Sequence, residues 1–185
     1  RRADMALNVA KTKQLPVLRF NHAMEATTHT HFALLSDLKL AVTQHQLALY
    51  YQPKLSMHGD AVGLEALLRW NHPLLGLIMP DAFIGIAEQT GAVREVTRYV
   101  VAEAVQQLRR WSDDGLKQPV AVNISARDLQ DDSFPRFVAE KLTASGVHAS
   151  LLRFEITERA LLDNLDAAAQ TLRALQQIGI RVSLD

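Results

Sequence analysis

The chain has 185 residues, 48% of them hydrophobic, with 20 basic and 20 acidic side chains and no cysteine. That length supports one well-filled core. A formal net charge of zero gives no general attraction to nucleic-acid polymers or anionic membranes, the absent cysteines exclude disulfides and thiolate zinc sites, and no apolar run approaches the roughly 20 residues of a membrane span.

Residues 1–13 read as a short helix with Met5, Leu7 and Val9 as its apolar contacts. Pro16 stops it, and Val17 to Phe20 read as a short strand. The polar run Thr27-Thr28-His29-Thr30-His31 reads as a solvated linker; its two His, at i and i+2, do not share a helix face. Phe32, Leu34, Leu35, Leu38 and Val42 fall on one face of a helix starting near Thr30. Leu47 to Gln52 is a predicted strand ended by Pro53. Only Ser56 to Asp60 separates it from the next strand, Ala61 to Trp70, which is too short for a parallel crossover. The two strands should pair antiparallel, with Gly59-Asp60 as turn chemistry.

A loop rich in Pro and Gly follows Trp70. Asp81 to Thr90 is a predicted short helix ended at Gly91, and residues 92–112 form a longer one. Its apolar stripe is Val93, Val96, Val100, Ala104, Leu108 and Trp111. After the strand Val120 to Ser125 comes a helix from Phe134 to Ser145, with Ser133 as N-cap, Pro135 in the first turn and Gly146 just past the end. The strand Leu152 to Glu158 follows. A helix over 164–178 carries Leu165, Ala168, Ala169, Leu172, Leu175 and Ile178, and Gly179 ends it. The last strand runs from Ile180 to Asp185. The connections after the second strand are long and helical, so the second to fifth strands should be parallel and covered on both faces.

Four of these strands carry a misplaced oxygen donor: Glu65, Asn123, Glu155 and Asp185. A charge inside an apolar strand must be neutralised, paired or bound to a cation. Four strands that each deliver one hard oxygen point to a divalent-metal site built on a sheet. In parallel α/β barrels ligands gather at the C-terminal strand ends, so one mouth can hold all four. Phe83 and Glu88 read as packing and helix-surface residues. His58, His72 and His148 read as loop residues and are assigned no chemistry.

The motifs Tyr51-Gln52-Pro53, Glu65-Ala66-Leu67-Leu68-Arg69-Trp70, Pro80-Asp81-Ala82-Phe83-Ile84, Ala87-Glu88, Val122-Asn123-Ile124-Ser125, Glu155-Ile156-Thr157-Glu158 and Val182-Ser183-Leu184-Asp185 follow one another in this order. In this the chain resembles the EAL-domain family, the cyclic-di-GMP phosphodiesterases, from about Leu47 to Asp185. Residues 1–20 resemble the end of a GGDEF domain through Ala3-Asp4, Ala6-Leu7, Ala10-Lys11 and Phe20. The implied organisation is a GGDEF-like remnant over 1–25, a linker over 26–31 and the N-terminal part of an EAL domain over 32–185.

The resemblance implies an α/β fold of EAL type, a modified TIM barrel whose first strand is antiparallel and the rest parallel. It assigns metal binding to Glu65, Asn123, Glu155 and Asp185, with Mg²⁺ or Mn²⁺ as the ion. It assigns substrate contacts to Gln52, to Leu67 through its backbone and to Arg69; Glu158 reads equally as a support for loops or ligands and as a solvated strand-end carboxylate. The implied reaction is metal-assisted water attack on cyclic-di-GMP, giving linear diguanylate (pGpG) in bacterial second-messenger signalling. The alternative is a non-catalytic EAL module that binds cyclic-di-GMP or a protein partner. Another metal-dependent hydrolase on a barrel explains the ligands but not Gln52-Pro53 or Arg69.

A complete barrel of this kind needs about 250 residues and eight strands. The general-base Lys is expected beyond Asp185, so no catalytic side chain is assigned within the chain, and the chain alone is expected to be inactive. Its fifth strand is expected to leave an unpaired edge. The implied partners are cyclic-di-GMP, upstream GGDEF and sensory domains, and a second copy in a homodimer. The implied location is the cytoplasm, with a parent protein that can be membrane-anchored.

Overall fold

The structure, a computed structural model, describes residues 17, 34, 36–162 and 164–184. The expected N-terminal helix, the linker with its two His, the first residues of the next helix and Asp185 lie outside these described residues.

Six strands form one sheet: β1 (Leu47–Leu55), β2 (Ala61–His72), β3 (Gly76–Ile78), β4 (Val120–Asn123), β5 (Leu152–Ile156) and β6 (Arg181–Leu184). The order is β1-β2-β4-β5-β6, and β3 folds back on β2. The β1–β2 pair is antiparallel, whereas β2–β4, β4–β5 and β5–β6 are parallel, as the connection lengths require. Among the described residues the sheet is open, with β1 and β6 at its ends.

The helices are α1 (residues 36–43), α2 (Ile84–Thr90), α3 (Val93–Asp113), α4 (Ala126–Leu129), α5 (Phe134–Ser145), α6 (Glu158–Leu162) and α7 (Leu165–Ile178). Residues alternate across a strand, so one set faces these helices and the other does not. Leu47, Ala66, Leu68, Trp70, Val120, Val122, Leu152, Phe154 and Ile156 form the helix-facing set and are buried. They meet the predicted stripe of α3, where Val93, Val96, Val100, Ala104 and Leu108 are buried. Trp111 closes that stripe edge-on against Tyr51, with ring centroids 4.8 Å apart. No helix among the described residues is long and apolar enough to cross a membrane.

Several expectations are corrected. Pro53 does not end β1, which continues to Leu55 with Pro53 opposite Leu64. A proline is tolerated there because its partner Leu64 donates its N–H away from β1, to the Pro119 carbonyl, so the missing N–H of Pro53 breaks no bond to β2. The loop after Trp70 contains β3, and His72 is a buried strand residue. Its Nδ1 accepts the backbone N–H groups of Leu74 and Leu75, both at 3.2 Å, and its Nε2 lies 3.3 Å from Asp37 Oδ2. With Nδ1 accepting, the network places the ring proton on Nε2, and the imidazole holds the tight β2–β3 turn.

The helix expected over 81–90 is split into a 3₁₀ turn, Pro80–Ala82, and α2. Ser133 makes no capping bond; its Oγ donates to Asp131 Oδ1, whose other oxygen pairs with Arg98. Glu158 opens α6 and does not extend β5. Leu165 is exposed in the first turn of α7, which buries Ala168, Thr171 and Leu175.

Candidate functional site

The face of the sheet away from the core carries the polar residues that the sequence singles out. On β2 the period of two puts Glu65, Leu67 and Arg69 on one side, and the antiparallel register sets Gln52 of β1 directly beside Glu65. On β4 and β5, Asn123 and Glu155 are direct register partners, and Ser183 of β6 is the next partner in that row. Glu65 pairs with Ala121, one side-chain step earlier on β4, so Asn123 is its diagonal neighbour. The diagonal is closed by a hydrogen bond: Asn123 Nδ2 donates to Glu65 Oε1 at 2.9 Å.

Glu65 is half-buried, not sealed inside the sheet, and Asn123 is exposed. Glu155 is the buried member, 8% exposed. Its Oε1 meets the Lys54 ammonium from β1 and lies 3.4 Å from Ser183 Oγ, which also reaches the Phe154 carbonyl. Neither Lys54 nor Ser183 was singled out from the sequence as a site residue. Strand parity was the available signal, since Lys54 shares a face with Gln52, and Ser183 shares its strand face with Asp185. Asp185 lies outside the described residues, so its side chain is not placed.

Glu65, Asn123 and Glu155 come from the C-terminal ends of the parallel segments: β4 ends at Asn123, β5 ends one residue after Glu155, and β2 pairs in parallel only over Leu64–Ala66. Gln52 is exposed next to Glu65. Leu67 is half-buried two residues on. Arg69 is half-buried, donates to the Leu68 carbonyl at 2.8 Å and sits 5.8 Å from the centroid of the Tyr50 ring.

Among the described residues, no three His, Cys, Asp or Glu side chains stand close enough together to hold a metal ion. The donor set on this face is two carboxylates and one carboxamide. It fits a hard divalent ion by its chemistry, because every donor is an oxygen. The three are linked in the sheet: Asn123 donates to Glu65, Asn123 is in register with Glu155, and Glu155 is held by the Lys54 ammonium.

The strand end at Asn123 is fixed from both sides. Ile124 N–H donates to the Glu155 carbonyl at 2.9 Å, which extends the ladder past Asn123. Just beyond, Asp128 Oδ2 accepts from Ser125 N–H, Ser125 Oγ and Thr97 Oγ1 at 2.8, 2.6 and 2.9 Å. Asp128 is 1% exposed. Burial pushes its carboxyl above the ordinary carboxylate range, and the bonds from Ser125 and Thr97 offset only part of that. The folded state therefore binds the proton more tightly than the unfolded chain. Stability from this group is full below the unfolded value and falls as pH rises towards the raised one. Asp128→Asn keeps an oxygen for the same donors without the buried charge. The wild type is expected to gain stability relative to Asp128→Asn as pH falls from 7 into the carboxylate range, measured by urea unfolding at each pH.

The EAL domain model matches residues 35–185. The chain belongs to the EAL-domain family. It is 37% identical over 168 residues to the bifunctional diguanylate cyclase/cyclic di-GMP phosphodiesterase MucR of Pseudomonas aeruginosa, covering 90% of this chain and 24% of that protein. It is 35% identical over 188 residues to the cyclic di-GMP phosphodiesterase PdeR of Escherichia coli, covering 100% of this chain and 28% of that protein. The chain thus spans about a quarter of the length of these curated relatives.

Two solved EAL structures share the fold. A MucR phosphodiesterase in complex with c-di-GMP superposes with a TM-score of 0.77 at 37% identity, covering 83% of this chain and 63% of that one. The FimX EAL domain of Xanthomonas citri in complex with c-di-GMP gives 0.78 at 28% identity, covering 86% and 62%. Family membership implies use of a divalent metal in general terms.

Proposed function

We propose that this chain carries the metal-binding and phosphate-facing part of an EAL phosphodiesterase site that hydrolyses cyclic-di-GMP to pGpG. The observation that carries the reading is the hydrogen-bonded and in-register group Glu65–Asn123–Glu155 at the C-terminal end of the parallel strands. The named activity of the relatives supports it, as does the dinucleotide bound in similar structures.

In this reading Glu65, Asn123, Glu155 and Asp185 hold Mg²⁺ or Mn²⁺, because an all-oxygen donor set favours such ions. When bound, the ion supplies Lewis-acid polarisation of a phosphate oxygen and makes a water more acidic. Gln52, beside Glu65, offers an amide that both donates and accepts, which suits a phosphate or a base edge. Arg69, on the same face, has a fork of donors matched to a phosphate. Leu67 lies between Glu65 and Arg69 along that face and contributes backbone contacts to the dinucleotide. Water displaces the 3′ oxygen, and the ring opens to the linear product.

The broader reading rests on resemblance. Residues 1–25 would be the end of a GGDEF-like domain and 26–31 a linker. The parent would be a cytoplasmic signalling protein that pairs through its EAL domain.

The test is to incubate cyclic-di-GMP with this chain, and with a longer polypeptide containing it, in Mg²⁺, Mn²⁺ or EDTA. Nucleotide binding and pGpG are both followed. The longer polypeptide is expected to form pGpG only with a divalent ion, and the chain alone is expected to form none. Binding without turnover by the longer polypeptide in both metals would select the non-catalytic module instead.

A further inference from the structure

We infer that Lys54 is a built-in counter-cation of this site, one that holds Glu155 ready and competes with the divalent ion for it. The inference rests on the metal-site reading above and goes beyond it, because it assigns to the centre a residue that is not one of its ligands.

Lys54 lies two residues after Gln52, on the same face of β1. Its ammonium ends on Glu155 of β5, with β2 and β4 between the two strands in the sheet. Its register partner on β2 is Gly63, which has no side chain to block the lysine stem. A Cβ at Gly63 would come within 3.0 Å of the Pro119 carbonyl oxygen, so close contact with the neighbouring backbone keeps the position small.

The Glu155 side chain is 10% exposed and that of Lys54 38% exposed. A carboxylate with so little water around it needs a cation or a proton. Lys54 supplies the cation, and the contact holds the Glu155 carboxylate aimed at the site before any metal arrives. Ser183 lies beside the same Oε1 at 3.4 Å. A divalent ion on Glu155 would meet the ammonium at contact distance, where like charges repel strongly in a partly desolvated setting. Lys54 must therefore withdraw as the ion enters, and its long flexible stem permits that movement. Lys54 is a positioning residue that sets how tightly the site takes its ion. A merely structural lysine would have no such effect on metal affinity.

The test is a Mn²⁺ titration of this chain and of its Lys54→Met, Lys54→Gln and Lys54→Arg variants, with free Mn²⁺ followed by electron paramagnetic resonance. Losing one competing ion pair of ordinary strength should tighten binding about three- to tenfold in Lys54→Met and Lys54→Gln. Lys54→Arg should stay near the wild type, because the charge remains. In EDTA the two neutral variants should melt below the wild type, since Glu155 loses its cation, and saturating Mn²⁺ should close that gap. Unchanged or weaker Mn²⁺ binding by the neutral variants would overturn the inference. If the wild type binds Mn²⁺ and Glu65→Gln weakens that binding while the neutral Lys54 variants match the wild type, this inference alone fails. If the wild type binds no Mn²⁺, the metal-site reading fails and takes the inference with it.

Discussion

Glu65→Gln is expected to weaken Mn²⁺ binding by about 100-fold or more while leaving the fold intact. The size follows from its place in the site. Loss of a residue that merely supports a ligand typically costs about 10–100-fold in metal affinity, and a carboxylate that supplies its own charge should match or exceed the upper end. The fold should survive because Glu65 is half-buried and its bond to Asn123 is one an amide oxygen can also accept. The stability change should stay within about 0.5 kcal/mol, as for most substitutions away from a packed core. Calorimetric Mn²⁺ titration and a urea melt of the same preparation check both halves. A variant that unfolds would place Glu65 in the framework, and one that binds normally would remove it from the site.

Trp70→Ala should be the most damaging single change to stability. Trp70 is fully buried, and its indole stands edge-on to Phe83 with centroids 5.3 Å apart and beside His72 at 5.2 Å. Its Nε1–H donates to Gln46 Oε1 at 3.1 Å. Truncating a buried Trp costs about 3–5 kcal/mol through lost transfer energy and the cavity left behind. Total stability of a domain is only about 5–15 kcal/mol, so a large fraction would go. The midpoint of thermal unfolding should fall by roughly 10 °C for a chain of this length. Trp70→Phe should lose much less, because most of the apolar volume stays. The effect reaches the site through β2, which carries Trp70 on its core side and Glu65 and Arg69 on the other.

Much of this fold is legible in the residues because its signals are local. The β1–β2 hairpin follows from the short Ser56–Asp60 connection, and the parallel strands follow from the long helical ones. The α3 stripe follows from a period near 3.6, and Gly91, Gly146 and Gly179 end their helices in the left-handed conformation that the missing Cβ permits. The misreadings had non-local causes. Pro53 looks like a strand end until the register sets it opposite Leu64, whose N–H bonds to Pro119 on the other side. β3 is hidden in a run that reads as loop, because its turn depends on His72 accepting two backbone N–H groups. Glu158 looks like the end of a strand, but the chain turns into α6 there.

The site divides in the same way. Glu65, Asn123 and Glu155 stand out because each is a polar residue where a strand pattern calls for an apolar one. Lys54 and Ser183 stand out far less, since a lysine after a proline and a serine in a strand are ordinary near a surface. Asp128 carries no strand anomaly at all. Its Ser125-x-x-Asp128 capping box is a local pattern, but only the fold brings Thr97 onto the same carboxylate.

The most direct test uses the ¹⁵N-labelled chain and small amounts of Mn²⁺, read as paramagnetic broadening of backbone amides. Broadening that begins together around residues 64–66, 122–124 and 154–156, and is reversed by EDTA, is the predicted result. Broadening confined to other acidic stretches such as Asp113-Asp114, with these three strand ends left sharp, would contradict the shared ion site.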